Sequence, residues 1–335
     1  MAAPELTDES VAVSTSEAGP APKKGRRSYS VLSRSDKRTI TAMVGVPTAL
    51  HIMFVWIPAI ATIGLSFTNW NGFKFSSMKW VGLRNYRQLL TVFEKDFYEA
   101  LFNNFWVLLF LFVIATPIGV LVAYLLDKNL KGTAVYQSLL YLPVVLSLAV
   151  VGFIWKSVVY SPRQGLLNTL LGRTAEGNQI DWLGDSDNII PLLGGYGLSK
   201  NFLAMIVPMI WQHVGYVMVL YLAGLKSVDP TLREASAIDG ASEWQAFRRV
   251  IMPSLRPVNV VIMVITVITA LRIYDIIAVL NNPNGTDVLS VLVTDNISGE
   301  SSSIGRGSAY ATVLLLLCFG FVIWYLRNAF REELE

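Results

Sequence analysis

Residues that carry covalent chemistry are scarce in this chain. There is one cysteine, Cys318, and there are two histidines, His51 and His213. A single cysteine excludes an internal disulfide and any cysteine metal cluster. It sits in a Leu-Leu-Leu-Leu-Cys-Phe run and reads as a small apolar residue. Both histidines lie inside apolar runs, and no H-E-x-x-H motif occurs. No G-x-x-x-x-G-K-[ST] motif occurs either, so the chain does not bind ATP by a P-loop. Charge is also thin. Charged residues make up 15% of the chain, against about 25% in a typical soluble domain. The hydrophobic share is 53% and the mean hydropathy is +0.49. That composition belongs to a membrane protein. The net charge of +3 is uninformative until its distribution is known.

What the chain does have is long runs without charge. Residues 39–73, 100–126, 132–155, 201–225 and 307–326 contain no Asp, Glu, Lys or Arg. Each is long enough to cross a hydrocarbon core of about 30 Å. A further run, 257–271, is too short alone and reaches Leu280 only if Arg272 and Asp275 are admitted. The sequence therefore predicts an all-α polytopic fold with six transmembrane helices. Pro117, Gly119 and Pro143 fall inside two of the spans and predict kinks.

Positive charge sets the orientation. With the N-terminus inside, the inner segments hold 16 Lys and Arg and the longer outer segments hold 11. The positive-inside rule then places both termini in the cytoplasm. Residues 1–38 have no aromatic before Tyr29 and turn basic, so they predict a disordered cytoplasmic tail. Its Lys and Arg cluster abuts a span, which points to orientation and anionic lipid rather than nucleic acid. The permease-like body covers 39–330, and 331–335 form a short cytoplasmic end.

One polar island interrupts the second half: Asp229 to Pro257, inside the cytoplasmic loop 226–256. Asp229 can N-cap a helix with Pro230 at its first position. Gly240 stops that helix, and Ser242 with Gln245 forms a capping box for a second one. Trp244, Phe247 and Ile251 share a face of that second helix.

Glu234-Ala235-Ser236, Asp239-Gly240 and Ile251-Met252-Pro253 resemble the cytoplasmic loop signature of bacterial ABC importer permeases. Ser236 stands where the family has a second Ala, and Met252 where it has Leu. Trp80-Val81-Gly82-Leu83-Arg84-Asn85-Tyr86 is similar to the segment after the first span in sugar-type permeases. Trp155 followed by Gly165-Leu166-Leu167-Asn168, and Gly305-Arg306-Gly307-Ser308-Ala309, resemble the same family. The resemblance implies a type I importer permease fold. It implies a second homologous permease, two ATPase subunits that use ATP and Mg²⁺, and an extracytoplasmic solute-binding protein. It implies no cofactor and no catalytic residue on this chain. Glu234, Ala235, Asp239, Gly240, Ala241 and Pro253 would form the ATPase-coupling segment.

Arg272 and Asp275 are three residues apart, so on a helix they share a face and can pair. They either line a translocation path or form a structural ion pair at the outer end of the fifth span. The family carries an aromatic-Asp pair here, matched by Tyr274-Asp275, then a Gly/Pro turn, from which 281–286 departs by having less glycine, a difference that bears on the substrate or the outer gate. Trp155, Trp211, Tyr274 and Asn281 join Arg272 and Asp275 as candidate sugar contacts. An oligosaccharide or α-glucoside is favoured, with a glycerol-phosphate or polyol as the alternative cargo. An ion-coupled secondary transporter would need an inverted repeat, which is not visible. A membrane enzyme would need a catalytic constellation that two distant histidines and one cysteine do not make. His213 reads as a buried, hydrogen-bonded residue. Asp181, Asp185 and Asp187 lack calcium-loop spacing and read as a solvated loop with short helical pieces.

Overall fold

The computed structural model describes residues 33–128, 131–191, 197–280, 285–298 and 302–331. The tail expected over 1–38 falls mostly outside the described residues, and its last five residues, 34–38, are helical. The described chain divides into two compact units between Trp56 and Ile57. In the first, helix α1 (Arg34–His51) starts at Ser33. The Asp36 N–H donates to Ser33 Oγ at 3.1 Å and the Ser33 N–H to Asp36 Oδ2 at 3.0 Å. This reciprocal box satisfies two N-terminal donors. Residues 35–56 are exposed throughout.

The second unit holds α2 (Ile57–Leu65), α3 (Glu94–Asp127), α4 (Thr133–Val145), α5 (Leu148–Val159) and α6 (Lys200–Ser227). After these come α7 (Pro230–Ile238), α8 (residues 243–254), α9 (Arg256–Leu271) and α10 (Asp275–Leu280). Last are α11 (Leu289–Ser298) and α12 (Ile304–Arg331). Among the described residues, five helical stretches are long and apolar enough to cross a membrane, Ser35–Leu65, α3, α6, Arg256–Leu280 and most of α12, or six if the bent pair α4–α5 is one span.

The prolines act differently from expectation. Pro117 and Pro253 each lie two residues after a π-turn, at Leu111–Ala115 and Phe247–Ile251. Proline lacks the N–H for the carbonyl four residues back, and its ring crowds that carbonyl. Those carbonyls belong to Val113 and Arg249, the middle residue of each turn. Widening the turn moves them aside and the helix runs on. The sharp bend is elsewhere. α4 and α5 meet at 103° around Leu146–Ser147, beyond Pro143. Ser147 Oγ caps α5 by accepting from the Val150 N–H at 3.3 Å. The freed carbonyls of Pro143 and Leu146 accept from Gln212 Nε2 of α6 at 3.1 and 2.9 Å.

Apolar side chains gain little by leaving lipid for another helix, so close fit decides packing. A Cβ on Gly119 would come within 2.7 Å of Val217, which lets α3 lie tight on α6. Gly215 likewise leaves room for the Leu140 carbonyl of α4. At the C-terminal end of α2, buried Asn85 donates to the Ser66 and Thr68 carbonyls at 2.7 and 2.8 Å. Tyr86 OH meets Ser66 Oγ at 2.6 Å. The Trp80–Tyr86 segment thus closes the helix end it follows.

The segment after α5 is mostly exposed and carries one short helix, Leu166–Leu170, as expected, but side chains also tie it down. Buried Asn168 donates to the Pro162 and Ile180 carbonyls, both at 2.9 Å, and accepts from Trp182 Nε1 at 3.1 Å. Asn188–Ile190 pairs antiparallel with Leu198–Ser199. Asp185 and Asp187 both pair with Lys200, at 2.8 and 3.2 Å.

Candidate functional site

The polar island folds as two helices about a glycine. Asp229 caps α7, its Oδ1 accepting from the Thr231 N–H at 2.9 Å. That bond holds the Asp229 carboxyl below its ordinary range. α7 ends at Ile238 with Asp239 as its C-cap, and Gly240 takes φ +75°. Ser242 and Gln245 then exchange bonds at 2.9 and 3.3 Å and start α8. Phe247 and Ile251 are buried, while Trp244 is half exposed and stacks on Phe247 at 5.5 Å. Tyr124 of α3 meets both rings, at 5.6 Å for Trp244 and 4.5 Å for Phe247.

The outward side of this hairpin is open. Glu234, Ala235, Asp239 and Gly240 are exposed and Ala241 is half-buried. Ala235, Asp239, Gly240 and Ala241 line one groove of about 380 Å³ with Leu232 and Arg249. Pro253 is exposed further along α8 and does not line that groove. Ser236, the departure from the family's Ala, faces inward, and its hydroxyl donates to the Arg233 carbonyl at 2.8 Å. The hydroxyl is therefore accommodated without a free polar group.

Four residues missed from sequence pair on the hairpin's other side. Asp127 pairs with Arg233 at 2.7 Å, and Lys128 with Glu243 at 2.5 Å. The Lys128 ammonium holds the Glu243 carboxyl below its usual range. In sequence Lys128 and Arg233 were only charges counted for orientation, Asp127 and Glu243 carried no reading, and nothing in their spacing pairs them.

The second candidate region is the fifth span. α9 stops at Leu271 and α10 begins at Asp275, so Arg272–Tyr274 are not helical. The shared helix face expected for Arg272 and Asp275 is therefore not formed. Among the described residues no ion pair joins them. Arg272, Tyr274 and Asp275 are all exposed. Buried Asn104 of α3 explains the break. Its Nδ2 donates to the Ala270 carbonyl at 2.8 Å, and its Oδ1 accepts from the Leu289 N–H at 3.0 Å. Ser290 Oγ donates to the Ile273 carbonyl. Asn103 beside it holds the Gly285 and Asp287 carbonyls at 3.2 and 2.8 Å. Two adjacent amides inside an apolar run were the available signal. Asn281 lies outside the described residues.

Trp155 and Trp211 come together, with ring centres 6.0 Å apart. α10 packs on α5, where Gly152 sits against Ile276 and Val279, and Lys156 Nζ donates to the Val279 carbonyl at 3.0 Å. The Trp155 helix and the Asp275 helix are thus neighbours. His213 is 5% exposed and bonds Thr266 Oγ1 at 3.1 Å, fastening α6 to α9 as a buried partner.

Residues 105–333 match the family described as binding-protein-dependent transport system inner membrane component. The chain belongs to this family. It is thus an ABC importer permease subunit of the inner membrane. Among its relatives is the xylose/arabinose import permease protein XacH of Haloferax volcanii. The two are 30% identical over 86% of this chain and 87% of that protein. The alpha-glucoside transport system permease protein AglF of Rhizobium meliloti is 29% identical, over 85% of this chain and 80% of that one. A chain of a bacterial ABC transporter importing the acidic polysaccharide alginate shares the fold. Its TM-score is 0.70 at 21% identity, over 89% of this chain and 96% of that chain.

Proposed function

We propose that this permease forms half of the translocation path for a sugar, with an oligosaccharide or α-glucoside favoured. Drive comes from a cytoplasmic ATPase docked on α7. The observation that carries this reading is the exposed groove of Ala235, Asp239, Gly240 and Ala241 beside Glu234. It combines small residues with two carboxylates, Asp239 in its lining and Glu234 beside it, and is open to a partner. Relatives named for pentoses and α-glucosides support the sugar class.

In this reading six helices cross the membrane and both termini lie in the cytoplasm, as the Lys and Arg distribution favours. A second homologous permease supplies the other half of the path. An extracytoplasmic binding protein delivers the sugar, and two ATPase subunits hold the ATP and Mg²⁺. Trp155 and Trp211 offer aromatic faces, while Arg272, Tyr274, Asp275 and Asn281 offer polar contacts at the broken span. Broken helices expose backbone and side-chain dipoles where a substrate passes. ATP-driven closure of the ATPases moves α7 and rocks the two permeases between inward-open and outward-open states.

The test is transport in vesicles carrying the assembled complex and its binding protein, offered glucosides, pentoses and polyols. Import of a glucoside that Asp275→Ala reduces, with subunit composition unchanged, is expected. Import of polyols alone would overturn the sugar class. Loss of assembly in Asp275→Ala would make that residue structural.

A further inference from the structure

The hairpin docks on the bundle unevenly, and the asymmetry identifies how it is held. α8 has apolar anchors: Phe247 and Ile251 are buried, and Tyr124 packs on Phe247. α7 has none. Its one buried residue is Ser236, and that hydroxyl bonds within α7 itself. Leu232 and Ile238 are 39% and 87% exposed. A helix of nine residues cannot hold its own position or shape without outside contacts. Beneath it lies a cleft of about 590 Å³, lined by Tyr124, Asp127, Arg233, Ser236, Phe247 and Ile251 among others.

Arg233 bridges that cleft. One guanidinium nitrogen, Nη2, pairs with Asp127 Oδ2 at 2.7 Å at the inner end of α3. The same nitrogen donates to the Leu225 carbonyl at 3.4 Å, in the last turn of α6. A cation is well placed at that negative helix end. The Asp127 side chain is 12% exposed and the Arg233 side chain 41%, so water is held off the carboxylate but reaches the guanidinium. Lys128 and Glu243 contrast with it. Lys128 is 38% exposed, much like Arg233, but Glu243 is 78% exposed, and an ion pair with an open carboxylate holds little.

We propose that Asp127 and Arg233 form the joint that passes motion of α7 into α3 and α6. This rests on the coupling role proposed for α7. Neither residue touches the ATPase in this account. They are positioning residues that make α7 move with the bundle instead of swinging into the cleft.

The test uses the complete transporter in proteoliposomes, with sugar imported per ATP hydrolysed as the readout. Arg233→Gln lowers that ratio at least about fivefold, the lower range of measured coupling energies, while ATP hydrolysis and ATPase co-purification persist. Arg233→Lys keeps the charge but replaces the planar guanidinium by a more strongly hydrated ammonium on a different stem, and gives an intermediate ratio. Exchanging the pair, Asp127→Arg with Arg233→Asp, recovers import relative to either single change. Lys128→Gln leaves the ratio within about twofold, as for an exposed pair. A wild-type ratio in Arg233→Gln overturns the joint, as does an exchanged pair no better than its single changes. If Arg233→Gln does not assemble, Asp127→Asn and Arg233→Lys decide the matter by the same ratio. A wild-type complex that contains no ATPase removes the coupling role itself, which is a different result.

Discussion

Gly240 shows how much one residue's backbone can matter. A Cβ there would meet nothing within 4 Å, yet its φ is +75°. The cost of a side chain is thus conformational, about 1–2 kcal/mol for an ordinary residue and more when β-branched. Gly240→Val should tilt α7 on α8 and lower uptake severalfold while the subunits still assemble. Wild-type uptake would contradict this, and paired measurements of import and co-purification distinguish the outcomes. This site was legible because a left-handed turn asks for glycine. Arg272 and Asp275 were not. A spacing of three implies a shared face only if the helix continues, and it ends at Leu271 because Asn104 and Ser290 bind the freed carbonyls.

Asp287 carries a pH signature at the same scale. Burial, then the charges of Asp295, Glu99 and Asp96, raise its carboxyl from 3.8 to about 6. The folded state therefore favours the neutral acid. Its stabilising share is complete below about pH 4 and is lost as pH rises through about 6. The melting temperature should fall across that window, and Asp287→Asn should flatten the fall. A profile unchanged by Asp287→Asn would remove the carboxyl as its source.

At the scale of elements, the caps at Asp229 and Ser242 were read from sequence, while those at Ser33 and Ser147 and the long-range fasteners were not. Ser33, Ser147, Asp229 and Ser242 each cap the helix that follows, and each satisfies donors within three residues. Such bonds are local, so sequence can expose them. The bend between α4 and α5 depends on Gln212, 66 residues beyond Leu146. No local pattern joins those positions. Gln212→Leu should leave the Pro143 and Leu146 carbonyls unpaired and destabilise the fold by about 1–3 kcal/mol. Thermal unfolding of the purified protein in detergent measures this. An unchanged melting temperature would mean that other donors reach those carbonyls.

For the whole molecule, composition and charge-free runs indicated the membrane class, and the island at 229–257 indicated the family. The structure adds why the island is useful: one side is a groove of small exposed residues, and the other is tied to α3 and α6. The substrate path is less legible, because its candidate residues come from three separate helices and the break between α9 and α10. Purifying the tagged chain from its native membrane, with mass spectrometry of what accompanies it, tests the central claim most directly. The account predicts an ATPase and a second permease in stable association. A chain that emerges alone, or paired only with itself, would contradict it.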